Sequence, residues 1–250
     1  MATFYKIPTV SVLGLPFSAL SREGMLRLAH RMAKRHTPSA IFTPNAQITL
    51  YASKHPGFAR ILRSADLLLP DGVGVTAAAR LSGERLLRTA GIDFAEELLA
   101  TAPEGGYRLF LLGGKPGVAV RARQAISERH KNIRIVGAQD GYYASGMERA
   151  VAAAVRAAAP DLLFVCLGSP RQEEWIAKYR PPCLALGLGG ALDVFSGDVK
   201  RAPEGMRRAG FEWLFRTVNE PKRVLRLLSL PAFAGKVLLS LPKSKKATAD

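Results

Sequence analysis

Acidic residues are scarce in this chain: 20 Asp and Glu stand against 36 Lys and Arg in 250 residues, a formal charge of +16. That deficit excludes an electrostatically neutral surface and points to an anionic partner, whether nucleic acid, a phosphorylated ligand or a membrane face. Cysteine is scarcer still. Cys166 and Cys183 lie in the apolar runs LLFVCLG and CLALGLG, with no Cys-x-x-Cys spacing. A disulfide framework and a cysteine metal site are therefore excluded, and both read as buried free thiols in a reducing compartment. The four histidines, His30, His36, His55 and His130, are scattered without metal-ligand spacing. No run reaches the roughly 20 apolar residues that span a bilayer. The best candidate, from Val224 to Leu241, is broken by Arg226, Pro231 and Lys236, so it can lie on a membrane but not cross one. Near the other end, Pro8, Pro16 and the alternation after Lys6 favour a first strand and turn over an export signal.

What is present fits a globular chain: 48% hydrophobic and 22% charged, long enough for one large domain or two small ones. Short apolar runs predict strands at Thr9–Leu13, Ala40–Thr43, Asp66–Leu69, Arg108–Leu112, Ile133–Gly137, Leu162–Leu167 and Leu184–Leu188. Helical patterns fall between them, at Ser21–His36, Ile92–Ala102, Val118–His130, Met147–Ala159 and Gln172–Tyr179. Strand followed by helix, repeated, predicts an α/β fold: a Rossmann-like, mostly parallel sheet with helices on both faces. The continuous apolar character of LFLL and LLFVCL agrees with strands buried on both sides. Strands cease after about Asp198. Pro203 then starts a helix to about Glu220, and Pro221 restarts a basic amphipathic one. We therefore divide the chain into an α/β catalytic domain at 1–198 and a helical C-terminal appendage at 199–250. From Lys200 to Asp250 there are twelve Lys and Arg against four Asp and Glu, so half of the excess charge sits in this last fifth.

Ligands of open parallel sheets bind outside the carboxyl ends of the strands. Three strand ends here run into glycine-containing turns before a helix. They are Gly113-Gly114-Lys115-Pro116-Gly117, Gly168-Ser169-Pro170-Arg171-Gln172 and Gly189-Gly190-Ala191-Leu192-Asp193. Glycine lets backbone approach a ligand and a helix start favours phosphate, so the trio, with Lys115 and Arg171, suggests a nucleotide or diphosphate cradle. Neither the Walker A order nor Gly-x-Gly-x-x-Gly at the first strand is present, which argues against a P-loop or nicotinamide enzyme. Gly-x-Ser-x-Gly is absent, and so is Asp-x-Asp, the divalent-cation arrangement of many nucleotide-sugar transferases. Two other strand ends carry polar side chains, at Pro44-Asn45-Ala46-Gln47 and Pro70-Asp71-Gly72. Asp71 has two readings at this stage, a general base at the crevice or the cap of the helix beginning near Val73.

Taken in order, these strand ends resemble the WecG/TagA/CpsF glycosyltransferases. The matching stretches are Thr43-Pro44-Asn45-Ala46-Gln47, Pro70-Asp71-Gly72-Val73-Gly74-Val75, and Arg88 with Gly91-Ile92-Asp93. Further on come Leu112-Gly113-Gly114, the run from Leu167 to Glu173 and the run from Gly189 to Gly197. In the tail, Lys200-Arg201-Ala202-Pro203, Glu212 to Arg216 and Glu220 to Arg223 match as well. The resemblance covers roughly Val10 to Arg226. It implies a bacterial enzyme at the inner face of the cytoplasmic membrane. Such an enzyme moves a sugar of N-acetylmannosamine, N-acetylmannosaminuronic acid or glucose type from a UDP-sugar to a polyprenyl-diphosphate-linked saccharide, inverting the anomeric centre without a metal or other cofactor. By the same resemblance Asp71 falls at the catalytic base, Thr43, Asn45 and Gln172 at the polar lining, and Arg88 in the same pocket. Gly113, Gly114, Lys115, Gly168, Arg171, Gly189, Gly190 and Asp193 fall to UDP, with Arg216, Arg223 and Arg226 closing over its diphosphate. Three positions depart from the family pattern: Gln47 where many members have Glu, Thr89-Ala90 for Val-Thr, and Gly205 for a bulky residue.

The tail then has two tasks. Its arginines face the nucleotide, while Lys236, Lys243, Lys245 and Lys246, with Leu227, Leu228, Leu230, Phe233, Val237 and Leu238, suit an anionic headgroup layer. A nucleic-acid binder is the weaker reading of the charge, because the basic residues gather beside Leu, Val and Phe and not among interleaved aromatics. The alternative within the same fold is a non-catalytic UDP-sugar-binding or scaffold protein, against which the presence of Asp71 argues. The oligomeric state, including a homo-oligomer, is left open.

Overall fold

The computed structural model describes residues 7–104, 106–144, 146–203, 205–206, 215 and 229–240. The chain opens with a hairpin of β1 (Thr9–Val12) and β2 (Leu15–Ser18), in which Val12 pairs with Leu15. Leu13 and Gly14 both take positive φ, 49° and 79°, the backbone that a two-residue hairpin turn requires. The first predicted strand thus belongs to a separate antiparallel pair and not to the parallel sheet, because its partner follows after only two residues. Ser18 then ties the hairpin to the sheet, its Oγ accepting from Leu68 N at 3.2 Å.

The remaining elements follow in alternation. After α1 (Arg22–Ala33), capped by Ser21 Oγ accepting from Gly24 N, come β3 (Ser39–Phe42), α2 (Ala46–Ala52) and α3 (Pro56–Arg63). Next are β4 (Leu67–Leu68), α4 (Val73–Leu81), α5 (Gly91–Ala100), β5 (Tyr107–Gly113) and α6 (Val118–Arg129). The domain continues through β6 (Ile133–Gln139), α7 (Glu148–Ala158), β7 (Leu162–Cys166), α8 (Arg171–Tyr179), β8 (Leu184–Gly187) and α9 (Ala191–Phe195). A helix at Ser229–Ser240, here α10, ends the described chain. Strands β3 to β8 form one six-stranded sheet in the order β4-β3-β8-β7-β5-β6, with all pairs parallel.

Side-chain alternation divides the core into two layers. Phe42, Leu68, Phe110, Leu112, Leu163, Val165 and Ala185 face the layer of α2, α3, α4, α7 and α8. Ile41, Leu67, Leu109, Leu111, Leu162, Phe164 and Leu186 face α1, α5, α6 and α9. Both faces being buried is why the strands read as unbroken apolar runs. The helices α2, α3 and α9, none longer than eight residues, are not among the predicted helices.

Helix α10 corrects one expectation. Phe233 and Val237, assigned above to a headgroup layer, are 4% and 3% exposed and belong to the first core layer with residues of α2 and α4. Lys236 lies against the domain as well, its Nζ donating to Ser53 O at 3.2 Å. Leu230, Leu238 and Leu239 remain exposed. A helix with two apolar positions four apart can bury only one stripe, and here that stripe faces protein. Among the described residues no helix is long and apolar enough to cross a membrane.

Candidate active site

The parallel topology brings the predicted strand ends to one edge. From β5 the chain leaves through α6 on one face of the sheet, while from the adjacent β7 it leaves through α8 on the other. Connections that diverge in this way open a crevice between the strand ends, where doubly wound sheets bind ligands. The two glycine turns Gly113-Gly114 and Gly168 flank it.

Gly113 shows why the residue type matters. Its φ is 132°, and a Cβ there would stand 2.2 Å from Cys166 O. No other residue permits this approach of β5 to β7. Several amides of the cradle are already bonded within the protein. Gly114 N donates to Cys166 O at 3.2 Å, and Gly189 N to the Gln172 side chain at 2.9 Å. Lys115 is exposed, and Asp198, which faces Arg121, is held below the usual carboxylate range by the Arg121 guanidinium, with a smaller contribution from Lys115. Arg171 is also exposed, but its guanidinium donates to Gly141 O at 2.9 Å and lies 4.9 Å from the Tyr143 ring centre. It braces the loop after β6. That loop leans over the glycine turn, Gly141 N donating to Gly114 O at 2.9 Å, and carries the exposed Tyr142. Sequence reasoning missed this loop, although Asp140-Gly141 followed by two tyrosines at a strand end was a legible signal.

Towards β4 the polar strand ends meet. Thr43 is buried at the end of β3, its Oγ1 donating to Gly187 O at 3.1 Å. Asn45 caps α2, its Oδ1 accepting from Ile48 N at 3.0 Å, a bond that contributes about 1 kcal/mol to such a helix. Asp71 N donates to Pro44 O at 3.4 Å, and Thr89 N donates to Pro70 O at 2.9 Å. Three chain segments are thereby laced together, those that carry Asn45, half-buried Asp71 and half-buried Arg88. The cap position of α4 is Gly72, with φ 85°, and Asp71 lies one residue outside it.

Gln172 and Asp193 sit deeper. Gln172 is 2% exposed, with both ends of its amide bonded: Oε1 accepts from Gly189 N, and Nε2 donates to Glu173 Oε1 at 2.9 Å. Asp193 is half-buried on α9, its backbone carbonyl accepting from Val199 N at 2.9 Å. Under the same turn, burial pushes the Cys166 thiol up to about 12, against a weaker opposing effect of the α9 amides. Among the described residues no three His, Cys, Asp or Glu side chains gather at one point. Arg216, Arg223 and Arg226, like Lys243, Lys245 and Lys246, lie outside the described residues.

Comparison with known proteins shows the family of the chain. The pattern of the family described as "Glycosyl transferase WecG/TagA/CpsF family" matches residues 10–247. The chain belongs to the WecG/TagA/CpsF glycosyltransferase family. One relative, from Bacillus subtilis (strain 168), is 42% identical over 212 residues, covering 83% of this chain and 82% of its own. Another, from Bacillus spizizenii (strain ATCC 23059 / NRRL B-14472 / W23), is 40% identical over 202 residues, or 79% of this chain and 78% of its own. Both are named N-acetylglucosaminyldiphosphoundecaprenol N-acetyl-beta-D-mannosaminyltransferase. For a member of the WecG/TagA/CpsF family, the edge that carries Thr43, Asn45, Asp71 and the glycine turns is the candidate place of glycosyl transfer.

Proposed function

We propose that this glycosyltransferase moves N-acetylmannosamine, or a closely related sugar, from a UDP-sugar to a polyprenyl-diphosphate-linked saccharide in cell-surface polymer synthesis. The observation that carries the reading is that Asp71 and the glycine turns end strands on one edge of a single parallel sheet, in a chain whose relatives bear that activity in their names. The acceptor hydroxyl attacks the anomeric carbon and its proton passes to the Asp71 carboxylate. The bond from that carbon to the diphosphate breaks, and UDP departs with the electron pair. One displacement inverts the centre, so an α-linked UDP-sugar yields the β product that the relatives' names specify.

Charge on the departing diphosphate is met without a metal, by Lys115, Arg88 and the tail arginines Arg216, Arg223 and Arg226. Guanidinium groups suit that task because they stay charged and grip phosphate oxygens in pairs. The absence of Asp-x-Asp supports the metal-free form. Residues 199–250 act as an appendage that covers UDP and docks on the inner face of the membrane. Exposed Leu238 and Leu239 support the docking, together with the lysines beyond them. A screen of UDP-sugars against a short-chain lipid-diphosphate acceptor, reading UDP release, tests the proposal. UDP release with none of the donors overturns it.

A further inference from the structure

Glu173 is a buried carboxyl that the reaction above does not use. It is 1% exposed, although it neighbours the crevice through Gln172. Burial raises its pKa, against weaker opposing effects led by the Gln172 side chain and including the Ser169 hydroxyl. Its Oε2 has no hydrogen-bond partner of normal geometry, whereas Oε1 accepts from Gln172 Nε2 at 2.9 Å. Burying a carboxyl so sparsely bonded costs stability, and packing alone would favour an apolar residue there.

The geometry points to Glu173 as a positioning residue that fixes the Gln172 amide and, through it, the Gly189-Gly190 turn of the proposed donor site. An amide can present oxygen or nitrogen to a neighbour, and only one orientation fits here. With Nε2 towards Glu173, Oε1 meets the Gly189 amide hydrogen. Rotated by half a turn, Gln172 would set oxygen against the Glu173 oxygen and an N–H group against the Gly189 N–H. The contact with Gly189 would then be repulsive whatever the charge of Glu173, and the contact with Glu173 repulsive when it is ionised. The same side chain fills the space over Gly187, where a Cβ would come within 3.1 Å of Gln172 Nε2. Gly187 O in turn accepts the hydroxyl of Thr43. One line of contacts therefore runs from Glu173 through Gln172 to Gly187 and Thr43 on one branch and to Gly189 on the other. Gln172 acts from beneath the site, holding the turn, and does not reach out from its surface.

The experiment compares the full chain with E173M, Q172M, the double variant, E173Q and, as a control, E174Q, whose carboxylate is exposed on the same helix. Two quantities are read: hydrogen exchange of the Gly189 amide, and donor KM against kcat. In E173M and Q172M the Gly189 amide should exchange about tenfold faster, as a lost hydrogen bond to a charged or oriented partner allows. Donor KM should rise with little change in kcat, and the double variant should be no worse than Q172M, since Glu173 acts through Gln172. E173Q keeps an acceptor but can itself rotate, so about threefold faster exchange is expected, and it carries the test if E173M does not fold. E174Q should match the unmodified chain in both readouts. Unchanged Gly189 exchange in E173M or E173Q overturns the inference, and so do additive effects of E173M and Q172M. The inference rests on the donor-site reading only for its KM arm. If no UDP-sugar is turned over, that reading fails while the exchange arm still decides the role of Glu173.

Discussion

Replacing Phe233 by alanine should undock α10 while leaving the sheet folded. An isolated helix of twelve residues is marginal in water, and Gly235 weakens this one further. Its order therefore depends on docking, and Phe233 and Val237 are the two side chains of the helix that are buried. Phe233 lies where α2 meets α4: a Cβ on Gly74 would be 2.9 Å from Ala46 Cβ and 3.9 Å from Phe233 Cε1. Burying side chains of this kind contributes about 1.5–3 kcal/mol each, so the pair supplies roughly 3–6 kcal/mol of docking. The substitution removes the larger share, about 2–3 kcal/mol, and leaves a space that α2 and α4 cannot close without shifting. At 1.4 kcal/mol per factor of ten, local opening of α10 should become about a hundredfold more frequent. Hydrogen exchange of the 229–240 peptide measures this directly, with a peptide covering β7 as the internal control. Because α2 carries Asn45 and α4 follows Asp71, kcat should fall as well. Unchanged exchange in 229–240 would refute the docking argument. Exchange that rises equally in β7 would refute the claim that α10 is a separately docked element.

Asp71→Asn should lower transfer by about a hundredfold or more while UDP binding and thermal midpoint stay close to the unmodified chain, as for loss of a positioned base; near-normal turnover would remove Asp71 from the mechanism. Transfer should persist in EDTA, and inhibition reversed by Mg²⁺ or Mn²⁺ would overturn the metal-free form. Burial pushes both thiols up from 9.0 to about 12, Cys183 with a further contribution from Asp161, so both should resist alkylation in the native protein until it is unfolded. The unfolded chain loses those protons first, so the stability they contribute is intact below about pH 9 and declines from there towards pH 12. Rapid alkylation of the folded protein at pH 8, or a melting midpoint that rises with pH over this range, would contradict the burial.

Periodicity and strand-end chemistry made much of this protein legible before any coordinates. Short runs such as LLFVCL, bounded by turn residues, fit strands buried on both faces, and a strand followed by a helix many times over leaves little choice but a parallel sheet. Glycine turns and Asp71 at strand ends were visible for the same reason: in such a sheet the chain itself dictates that all those ends lie on one edge. Short helices were not, because α2 and α9, of seven and five residues, make too few turns to show a period. Nor was the destiny of β1, since a run of four residues says nothing of which neighbour it will pair with. Tertiary structure alone decided which residues of each motif face outwards. By the resemblance Gln172 lines the pocket, and the fold buries it because its amide finds both its partners beneath the turn. Phe233 and Val237 looked like a membrane face and are instead docked on α2 and α4. Sequence specifies which side chains must leave water, but only the packed fold determines whether protein or something else receives them.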